Sequence, residues 1–439
     1  MQIITPASEK LLLLAHSQPI GHGQQYRRCT YTLACETAQG WRVLNTYTGQ
    51  IIALTPEEYG QWCSLPRTYQ PWMDELIKGL FIVEESFDEA TEVREVSSFL
   101  HRMAASDAPT LYIIAPTTAC NARCPYCYEA DMRTVAMAGE VADATAAFIT
   151  KHAPKRGVRL QWFGGEPLLA QSIIDSITRN IESAGVPITA RMISNMHLFD
   201  EALVGKAVKR WHLDYVQTTL DGTEETYNET KTYIAADANE SPYQRVLRNI
   251  GLLLDAGVQV KARLNVGAGN TESLLELTDV LSRRFGQQPR FSAYACALYN
   301  NCESYGFSHD EYARIKEGQE QVNRALCSCG ILRDNLPTHL RDAACLADSP
   351  RAVLINPLGG ITKCEHDVFS NEIGNVYEGM TTDGWRNYRY ELPSFKNCDA
   401  CPLFPVCKTY AYCPGVSPTC NARGRSEAIE TYRTIIRNA

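Results

Sequence analysis

The sequence lacks the signatures of several protein classes. No apolar run approaches the ~18 residues of a membrane-spanning helix, and the early apolar segment at residues 11–15 is shorter than the ~7–15-residue core of a secretory signal. Positive charge is scarce, with 42 Lys and Arg against 50 Asp and Glu, a formal net charge of −8. The composition, 45% hydrophobic and 21% charged, excludes disorder and fibrous repeats. We therefore expect a cytoplasmic globular protein whose main partner is neither nucleic acid nor a membrane.

Cysteine is the residue type that is abundant. The 17 cysteines are too few for a disulfide scaffold, which needs above ~8–10% of a short secreted chain, and too many to be core residues alone. In a reducing cytosol, clustered cysteines are more often metal ligands or catalysts than disulfides. Ten of them fall into two clusters: Cys120, Cys124 and Cys127, then Cys345, Cys364, Cys398, Cys401, Cys407, Cys413 and Cys420. We expect most of the other seven to be buried as small hydrophobic residues.

The middle of the chain alternates between strand-like and helix-like segments. Helix-compatible stretches separate six apolar or β-rich runs, at residues 111–115, 158–163, 188–193, 213–219, 258–266 and 289–294. This alternation predicts a parallel sheet with crossover helices. Six units are too few for a closed eight-fold barrel, so we predict an α/β fold with an open, partial (β/α)6 barrel at residues 106–325. In such sheets, chemistry gathers at the carboxyl ends of the strands.

Two smaller modules flank this core. Residues 1–105 are predicted to form an α+β module with strands at 41–45 and 50–54. Thr55-Pro56-Glu57-Glu58 forms a capping box with Pro at the first helical position, which opens a helix. The acid-rich segment 84–95 is predicted to link this module to the barrel. Residues 326–439 make up a C-terminal module rich in cysteine and proline.

The first cysteine cluster lies directly after the first barrel strand, in Cys120-Asn-Ala-Arg-Cys124-Pro-Tyr-Cys127. Three thiolates on one short loop are able to hold three irons of a [4Fe–4S] cube, leaving the fourth iron open to a ligand with an amine and a carboxylate. The alternatives are a zinc site and burial by coincidence. Zinc usually needs four ligands, and the next several residues supply no further Cys or His.

This C-x₃-C-x₂-C motif, with Tyr126 before its third cysteine, resembles the radical S-adenosylmethionine (SAM) enzymes over most of residues 108–310. The resemblance implies that the open iron chelates SAM through its amino and carboxylate groups. It also implies that one electron from the cluster cleaves SAM, and that the resulting 5′-deoxyadenosyl radical abstracts hydrogen. The cofactor carries that chemistry, while the protein orients it and excludes water.

The ends of the next three strands resemble further motifs of the same family. Gly164-Gly165-Glu166-Pro167 resembles its GGEP motif: the glycines let the backbone approach a ligand, and exposed carbonyls with Glu166 suit an ammonium group. A tight turn that starts a helix is the alternative. Ser194-Asn195 resembles the family's ribose- and carboxylate-binding pair, and Thr219 should face SAM. Relatives often have an Arg near the SAM carboxylate, and this chain has Lys231 at that place. A lysine keeps the positive charge but lacks the bidentate guanidinium fork. The alternative interpretation of Lys231 is a solvated lysine.

The C-terminal cysteines resemble the SPASM module, which follows many radical SAM enzymes that act on peptides and proteins and carries auxiliary [4Fe–4S] clusters. By position, the resemblance assigns one cluster to Cys345, Cys364 and Cys413, and the other to Cys398, Cys401, Cys407 and Cys420. Five residues separate Cys407 from Cys413, where the family usually has three. The first cluster has no obvious fourth cysteine, so either Cys327 or Cys329 completes it or a substrate thiolate binds there. A pair of zinc ribbons is the alternative, although seven thiols do not fill two four-ligand zinc sites.

Glu365, directly after Cys364, stands where sulfatase-maturing relatives have an Asp that acts as a base. A carboxylate beside an iron–sulfur cluster in a closed cavity is suited to accept a proton, and an ordinary solvated or salt-bridged acid is the alternative. The N-terminal module loosely resembles the winged-helix elements that grip a precursor's leader by strand addition, with a mere packing cap as its alternative.

Together these motifs predict a radical SAM peptide maturase. It would use three [4Fe–4S] clusters and SAM, take electrons from flavodoxin or ferredoxin, and install a thioether or carbon–carbon crosslink in a ribosomally made precursor peptide. A sulfatase-type maturase that forms formylglycine from Cys or Ser is a second enzyme interpretation, disfavoured by the N-terminal module and by Glu365. The alternative of a different class is a non-catalytic zinc-ribbon binding protein.

Overall fold

The computed structural model describes residues 1–15, 23–105, 108–234, 239–298, 309–332, 338–343, 345–380, 397–407 and 422–439. The chain divides into two compact units. Unit 1 comprises Met1–Asp107, Asn335–Pro350 and Asn387–Ala439, and unit 2 comprises Ala108–Asp334 and Arg351–Arg386. The predicted C-terminal module is thus shared between the two units. No helix within the described ranges combines the length and the apolar character that crossing a membrane requires.

Unit 1 contains two small antiparallel sheets. One has the order β1-β5-β4-β3 and the other the order β6-β2-β7. The strands are β1 (Gln2–Thr5), β2 (Gln25–Arg28), β3 (Thr32–Thr37), β4 (Gly40–Asn45), β5 (Ile51–Leu54), β6 (Arg67–Thr68) and β7 (Ile82–Glu84). The two strands predicted at 41–45 and 50–54 are therefore confirmed as the neighbours β4 and β5.

Four helices from the first 105 residues accompany these sheets: α1 (Glu9–Leu14), α2 (Pro56–Cys63), α3 (Asp74–Lys78) and α4 (Glu89–Ala105). The predicted capping box at the start of α2 is confirmed. The backbone N–H of Glu58 donates to Thr55 Oγ1 at 3.2 Å, and Glu58 Oε2 accepts from the Thr55 N–H at 2.9 Å. Both contacts satisfy N–H groups that the helix itself leaves unpaired.

The prediction that residues 84–95 form a linker is wrong, because α4 begins inside that segment. Glu89 is buried and pairs with Arg27. It also accepts hydrogen bonds from the Thr30 backbone N–H at 2.9 Å and from Thr30 Oγ1 at 2.6 Å. A buried carboxylate is tolerated only where donors surround it. These donors lie on a distant part of the chain, so the local acidic composition gives no sign of the burial.

Unit 2 is built on one sheet with the order β13-β12-β11-β10-β9-β8-β14-β15-β16-β17 among its described residues. Six strands form a continuous parallel array: β8 (Leu111–Thr117), β9 (Val158–Gly164), β10 (Ile188–Ile193), β11 (Leu213–Leu220), β12 (Gln259–Val266) and β13 (Phe291–Ala297). The strand β14 (Ala352–Ile355) adds to β8 in parallel. Three short antiparallel strands extend the edge: β15 (Gly360–Thr362), β16 (Gly374–Asn375) and β17 (Gly379–Met380).

Helices connect the parallel strands and cover one face of the sheet. They are α5 (Gly139–His152), α6 (Gln171–Ser183), α7 (Glu201–Trp211), α8 (Glu224–Lys231), α9 (Pro242–Asp255), α10 (Thr271–Phe285) and α11 (His309–Ser328). Alternate strand residues such as Leu160 and Trp162 join Ile177 and Leu253 in one apolar core. The residues between them, such as Gln161, therefore face the opposite side of the sheet.

The predicted α/β fold with a partial (β/α)6 barrel is confirmed by this topology. Each of the six predicted strands overlaps one of β8–β13. The segment around β14 pairs with β8, which places part of the predicted C-terminal module on the barrel sheet. The last helix, α12 (Ala422–Asn438), belongs to unit 1, where Tyr432 and Ile436 pack against Leu33 and Leu44 of the first sheet.

Candidate active site

The loop that carries Cys120, Cys124 and Cys127 leaves the carboxyl end of β8 and is held at several points. The Val135 N–H donates to Thr118 Oγ1 at 2.8 Å, which closes the loop on itself. The Arg123 N–H donates to the carbonyl of Lys231 at 3.0 Å, which ties the loop to the end of α8. All three cysteines are half-buried. A short loop fixed at both ends presents its thiols as a preformed set.

The environment of these thiols disfavours a free thiolate. Burial raises the pKa of Cys120 to about 11 and raises that of Cys127, and the neighbouring loop thiols raise the Cys120 pKa further. A buried thiolate needs a compensating cation, which a metal centre provides. Across the ranges that the structure describes, no three His, Cys, Asp or Glu side chains surround the position of a single metal ion. Three cysteines on one loop are the number of protein ligands that a [4Fe–4S] cube with one open iron requires.

The glycines after β9 pack against the cysteine loop. Gly164 has φ of +110°, and a Cβ atom there would lie 2.2 Å from the carbonyl oxygen of Thr117. A Cβ at Gly165 would lie 2.4 Å from the Ala119 carbonyl oxygen. The Glu166 N–H donates to that same Ala119 oxygen at 2.8 Å. The absence of side chains at these two glycines therefore lets the end of β9 approach the cysteine loop. From the sequence alone, we expected the glycines to let the backbone approach a ligand.

Glu166 joins the ends of β9 and β10. It is fully buried, and its carboxyl oxygens accept from Ser194 Oγ at 2.9 Å, from the Asn195 N–H at 2.8 Å and from the Leu168 N–H at 3.1 Å. Burial raises the pKa of Glu166 to about 7, against the opposing effect of these donors. The carboxyl group thereby fixes the Ser194-Asn195 pair relative to the GGEP turn.

Asn195 reaches the cysteine loop directly. Its Nδ2 donates to Asn121 Oδ1 at 2.7 Å and lies 3.9 Å from Cys120 Sγ. The Ala122 N–H also donates to Cys120 Sγ, at 3.4 Å. N–H donors around a cysteine sulfur stabilise negative charge on it, as the ligand of an iron–sulfur cluster requires.

Lys231 is buried, which rules out the solvated lysine. Its Nζ lies 3.1 Å from Asp221 Oδ2, donates to the Tyr126 hydroxyl at 2.8 Å and also donates to Thr219 Oγ1. Tyr126 in turn donates its hydroxyl proton to Asp221 at 2.8 Å. The structure thus brings Tyr126, Thr219 and Lys231, three residues predicted from separate motifs, into one hydrogen-bonded network.

Asp221 and Asn265 also belong to this network, although neither was predicted from the sequence to have a role. Asn265 Nδ2 donates to Asp221 Oδ1 at 3.0 Å from the carboxyl end of the neighbouring strand β12. Asp221 has a signal in the sequence, the Asp-Gly pair directly after a predicted strand. Asn265 has a weaker one, a single polar residue near the end of a β-rich run.

Glu365 lies on the side of the sheet that faces away from the helices of unit 2. Its Oε1 accepts from Gln161 Nε2 at 2.8 Å. Burial raises the pKa of Glu365, while the Gln161 donor and the nearby Arg191 and Arg263 oppose the rise. Burial raises the pKa of Glu129 to about 7, and the nearby negative charge of Glu365 contributes to this rise. Both carboxyl groups therefore have a raised pKa, and that of Glu129 lies near neutral pH, where a carboxyl group is able to exchange protons.

The predicted auxiliary-cluster cysteines are described only in part. In unit 1, Cys398, Cys401 and Cys407 are half-buried, and the Cys401 N–H donates to the Cys398 carbonyl at 2.9 Å in a tight turn. Cys345 is exposed in unit 1, and Cys364 is half-buried in unit 2. Cys413 and Cys420 lie outside the described residues. The ligand sets of the two auxiliary clusters stay a prediction.

Comparison with known families identifies the barrel. Residues 114–281 match the family model of the Radical SAM superfamily, so the chain contains a radical SAM domain. The prediction of a radical SAM enzyme is confirmed, and the family implies SAM and a [4Fe–4S] cluster as cofactors. Among curated proteins, none matches this chain.

Solved structures share the fold over most of the chain. The native anSMEcpe with bound AdoMet has a TM-score of 0.58 at 15% identity, and the match covers 75% of this chain and 98% of that one. The structure of anSMEcpe with bound AdoMet and the Kp18Cys peptide also has a TM-score of 0.58 at 15% identity, covering 75% and 99% of the two chains. SuiB from Streptococcus suis has a TM-score of 0.52 at 14% identity, covering 88% and 95%. At these identities the likeness establishes the fold alone.

Proposed function

We propose that this radical SAM enzyme installs a thioether or carbon–carbon crosslink in a ribosomally made precursor peptide. The observation that carries the proposal is the convergence of the cysteine loop, the Gly164-Gly165 turn, Asn195 and the Lys231 network at the carboxyl ends of adjacent parallel strands. A peptide as substrate is supported by the likeness to anSMEcpe, which was solved with both AdoMet and a peptide.

The donor set fits the cofactors of the family. Cys120, Cys124 and Cys127 would hold the [4Fe–4S] cluster. Lys231 and Thr219 would bind the SAM carboxylate, and Ser194 and Asn195 its ribose, with Gly164, Gly165, Glu166 and Tyr126 forming the rest of the pocket. When bound, these cofactors supply a 5′-deoxyadenosyl radical.

The contribution of the protein is positioning. Asp221 and Tyr126 hold the Lys231 ammonium group in one place, and Asn195 steadies Asn121 and Cys120. The half-buried site limits access of dioxygen and of thiols in solution, which would quench a radical. Glu365 is the proposed base, because it is half-buried, directly follows Cys364 in the chain, and has a raised pKa that suits it to take the proton that the crosslinking atom releases.

Two auxiliary [4Fe–4S] clusters are proposed on Cys345, Cys364 and Cys413 and on Cys398, Cys401, Cys407 and Cys420. They would take up the electron left on the oxidised substrate, and flavodoxin or ferredoxin would supply the electron for SAM cleavage. Iron analysis after anaerobic reconstitution tests this. Three cubes give about twelve irons per chain. Cys398→Ala should lose about four of them, whereas Cys63→Ala, at an exposed cysteine outside the clusters, should lose none.

Unit 1 offers a groove for the leader segment of the precursor. Strand β3 is an edge strand in the described part of its sheet, so its outer N–H and C=O groups are available for strand addition. Beside it lies a cavity of about 620 Å³ whose lining includes Arg27, Arg28 and Arg433 together with Trp41 and Tyr59. The two aromatic rings stack with centroids 3.8 Å apart. Arg27 is paired with Glu89 and Arg433 with Glu430, whereas the Arg28 guanidinium lies over the Trp62 ring, 5.2 Å from its centroid. The Arg28 charge favours an acidic leader, so Arg28→Glu should weaken leader binding.

The reaction test uses protein purified without oxygen, SAM, a chemical reductant and synthetic peptides encoded by short reading frames beside the gene. The proposal expects 5′-deoxyadenosine and a peptide lighter by two hydrogens and resistant to hydrazide labelling. A peptide aldehyde trapped by hydrazide would instead indicate formylglycine formation. A colourless zinc protein without iron–sulfur absorbance would contradict both enzyme functions.

A further inference from the structure

The two residues proposed to bind the SAM ribose differ in what their side chains have left to offer. Ser194 is buried, and its hydroxyl donates to Glu166 at 2.9 Å and accepts from the Met196 N–H at 2.9 Å. Asn195 is half-buried, and its Nδ2 carries two N–H groups. A hydrogen bond to a ribose oxygen therefore depends mainly on the direction in which the Asn195 amide points.

Two hydrogen bonds orient the Asn195 amide. Its Oδ1 accepts from the His197 N–H at 3.0 Å, and because a backbone N–H only donates, this contact identifies the oxygen and the nitrogen of the amide. Nδ2 then faces Asn121, whose Oδ1 accepts from it at 2.7 Å. This bond uses one of the two N–H groups on Nδ2, and the planar amide fixes the direction of the other.

The backbone of Asn195 is held independently of Asn121. Its N–H donates to Glu166 Oε2 at 2.8 Å, and its carbonyl accepts from the Tyr233 hydroxyl at 3.4 Å. Loss of the Asn121 side chain should therefore release the nitrogen end of the Asn195 amide while the Asn195 backbone stays in place. An effect of Asn121 on a ligand of Asn195 is thus separable from an effect on the fold.

Asn121 is itself fixed by the chain segment that begins with Lys231. The Ile234 N–H donates to the Asn121 carbonyl at 2.8 Å. Asn121 also directly follows Cys120 in the sequence. It therefore connects three parts of the proposed SAM site: the cysteine loop, the Lys231 segment and the Asn195 amide.

We propose that Asn121 is a positioning residue for SAM, and that it acts through Asn195, whose amide it directs toward the ribose. This inference rests on the proposed function and specifies how the cysteine loop adds to SAM affinity besides carrying the cluster. An amide oriented before the ligand arrives avoids the cost of ordering it on binding. The expected contribution is that of one hydrogen bond, about three- to tenfold in affinity.

Anaerobic equilibrium dialysis of radiolabelled SAM against the reconstituted enzyme, without reductant, tests the proposal apart from turnover. Asn121→Ala should weaken SAM binding about three- to tenfold. Asn121→Asp keeps an oxygen that accepts from Asn195 Nδ2, so it should bind SAM within about twofold of the wild type. The matched control is Asn180→Ala, which removes a hydrogen bond of 2.8 Å from Asn180 Nδ2 to Asp143 on the helices of unit 2 and should leave the affinity unchanged.

A double-mutant cycle separates positioning from a merely structural role. If Asn121 acts through Asn195, then adding Asn121→Ala to the Asn195→Ala protein should weaken SAM binding by less than about twofold. Independent contributions would instead multiply. All proteins are compared at matched iron content, so that a loss of cluster is not taken for a loss of SAM affinity. Asn121→Ser, whose hydroxyl is one bond nearer the backbone, replaces the Ala variant if that protein incorporates too little iron.

Three results would overturn the proposal: unchanged SAM affinity in Asn121→Ala, equal losses of affinity in Asn121→Asp and Asn121→Ala, or losses that multiply in the double variant. Failure of the proposed function has a different readout, because it concerns the wild type. That failure is the absence of SAM binding, or the absence of 5′-deoxyadenosine when SAM and reductant are supplied.

Discussion

Replacing Lys231 with Met should destabilise unit 2 strongly. The ammonium group of Lys231 lies 3.1 Å from Asp221 Oδ2, and the two side chains are only 3% and 1% exposed. The substitution leaves the Asp221 carboxylate buried with the hydrogen bonds from Tyr126 and Asn265 but without its counter-charge. The favourable packing of the methionine chain does not remove that penalty.

The size of the effect follows from this burial. Removing one partner of a buried ion pair costs about 3–5 kcal/mol, because an uncompensated charge stays in the interior. For a unit of this size, that loss lowers Tm by about 6–12 °C or more. In the double variant Lys231→Met with Asp221→Asn the orphaned charge is gone as well, and Asn retains contacts to Tyr126 and Asn265. The double variant should therefore recover most of the loss.

The assay is anaerobic scanning calorimetry of the four proteins of this cycle. Lys206→Met is the matched control, since its ion pair with Asp175, at 2.6 Å, joins side chains that are 36% and 33% exposed. An exposed pair contributes about 0–1 kcal/mol, so this variant should melt within about 3 °C of the wild type. Equal Tm losses for Lys231→Met and Lys206→Met, or no recovery in the double variant, would show that the buried Asp221 charge does not cause the destabilisation.

Three further changes have expected outcomes. Burial raises the pKa of Glu166 from 4.5 to about 7, so the protonated carboxyl group stabilises the fold below pH 4.5. As the pH rises from 4.5 to about 7, the free energy of unfolding should fall by about 3 kcal/mol. The plot of Tm against pH should therefore be flatter in Glu166→Gln, and an identical slope would contradict this. Gly165→Ala places a Cβ 2.4 Å from the Ala119 carbonyl oxygen, so it should move the cysteine loop and lower iron incorporation. The control Gly205→Ala, whose Cβ meets nothing within 4 Å, should bind as much iron as the wild type. Glu89→Ala leaves Thr30 without its carboxylate acceptor and Arg27 without its counter-charge, and should cost unit 1 about 2–3 kcal/mol in calorimetry. An unchanged Tm would show that these contacts do not stabilise unit 1.

The barrel strands could be predicted from the sequence because short apolar runs indicate where the buried strands lie. Each of β8–β13 carries apolar residues that pack under helices, and turn residues and amphipathic helices separate the strands. The motifs at the strand ends could be predicted as well, because parallel strands place their carboxyl ends at one edge of the sheet.

The partners of individual side chains could not be predicted in this way. Lys231 has the same sequence context whether it is solvated or buried, and its partner Tyr126 lies 105 positions away in the chain. Gly165 was predicted from its motif to approach a ligand, but its nearest neighbour is the carbonyl of Ala119 on another loop. Such contacts depend on register and on loop paths, which local patterns do not encode.

Two arginines of the barrel interior illustrate the same limit. Arg191 and Arg263 stand in β-rich runs where a charged residue ordinarily marks a solvated face. Only the alternation of the assembled strands, with Ala190, Met192, Ala262 and Leu264 under the helices, turns both toward the interior.

The radical-generating role of the cysteine loop is tested by the yield of 5′-deoxyadenosine from SAM and a chemical reductant, with the wild type, Cys124→Ala and Cys63→Ala prepared side by side without oxygen. We expect product from the wild type and from Cys63→Ala, whose cysteine is exposed on a different unit, and none from Cys124→Ala. Undiminished 5′-deoxyadenosine from Cys124→Ala would contradict the assignment of the cysteine loop as the radical-generating centre.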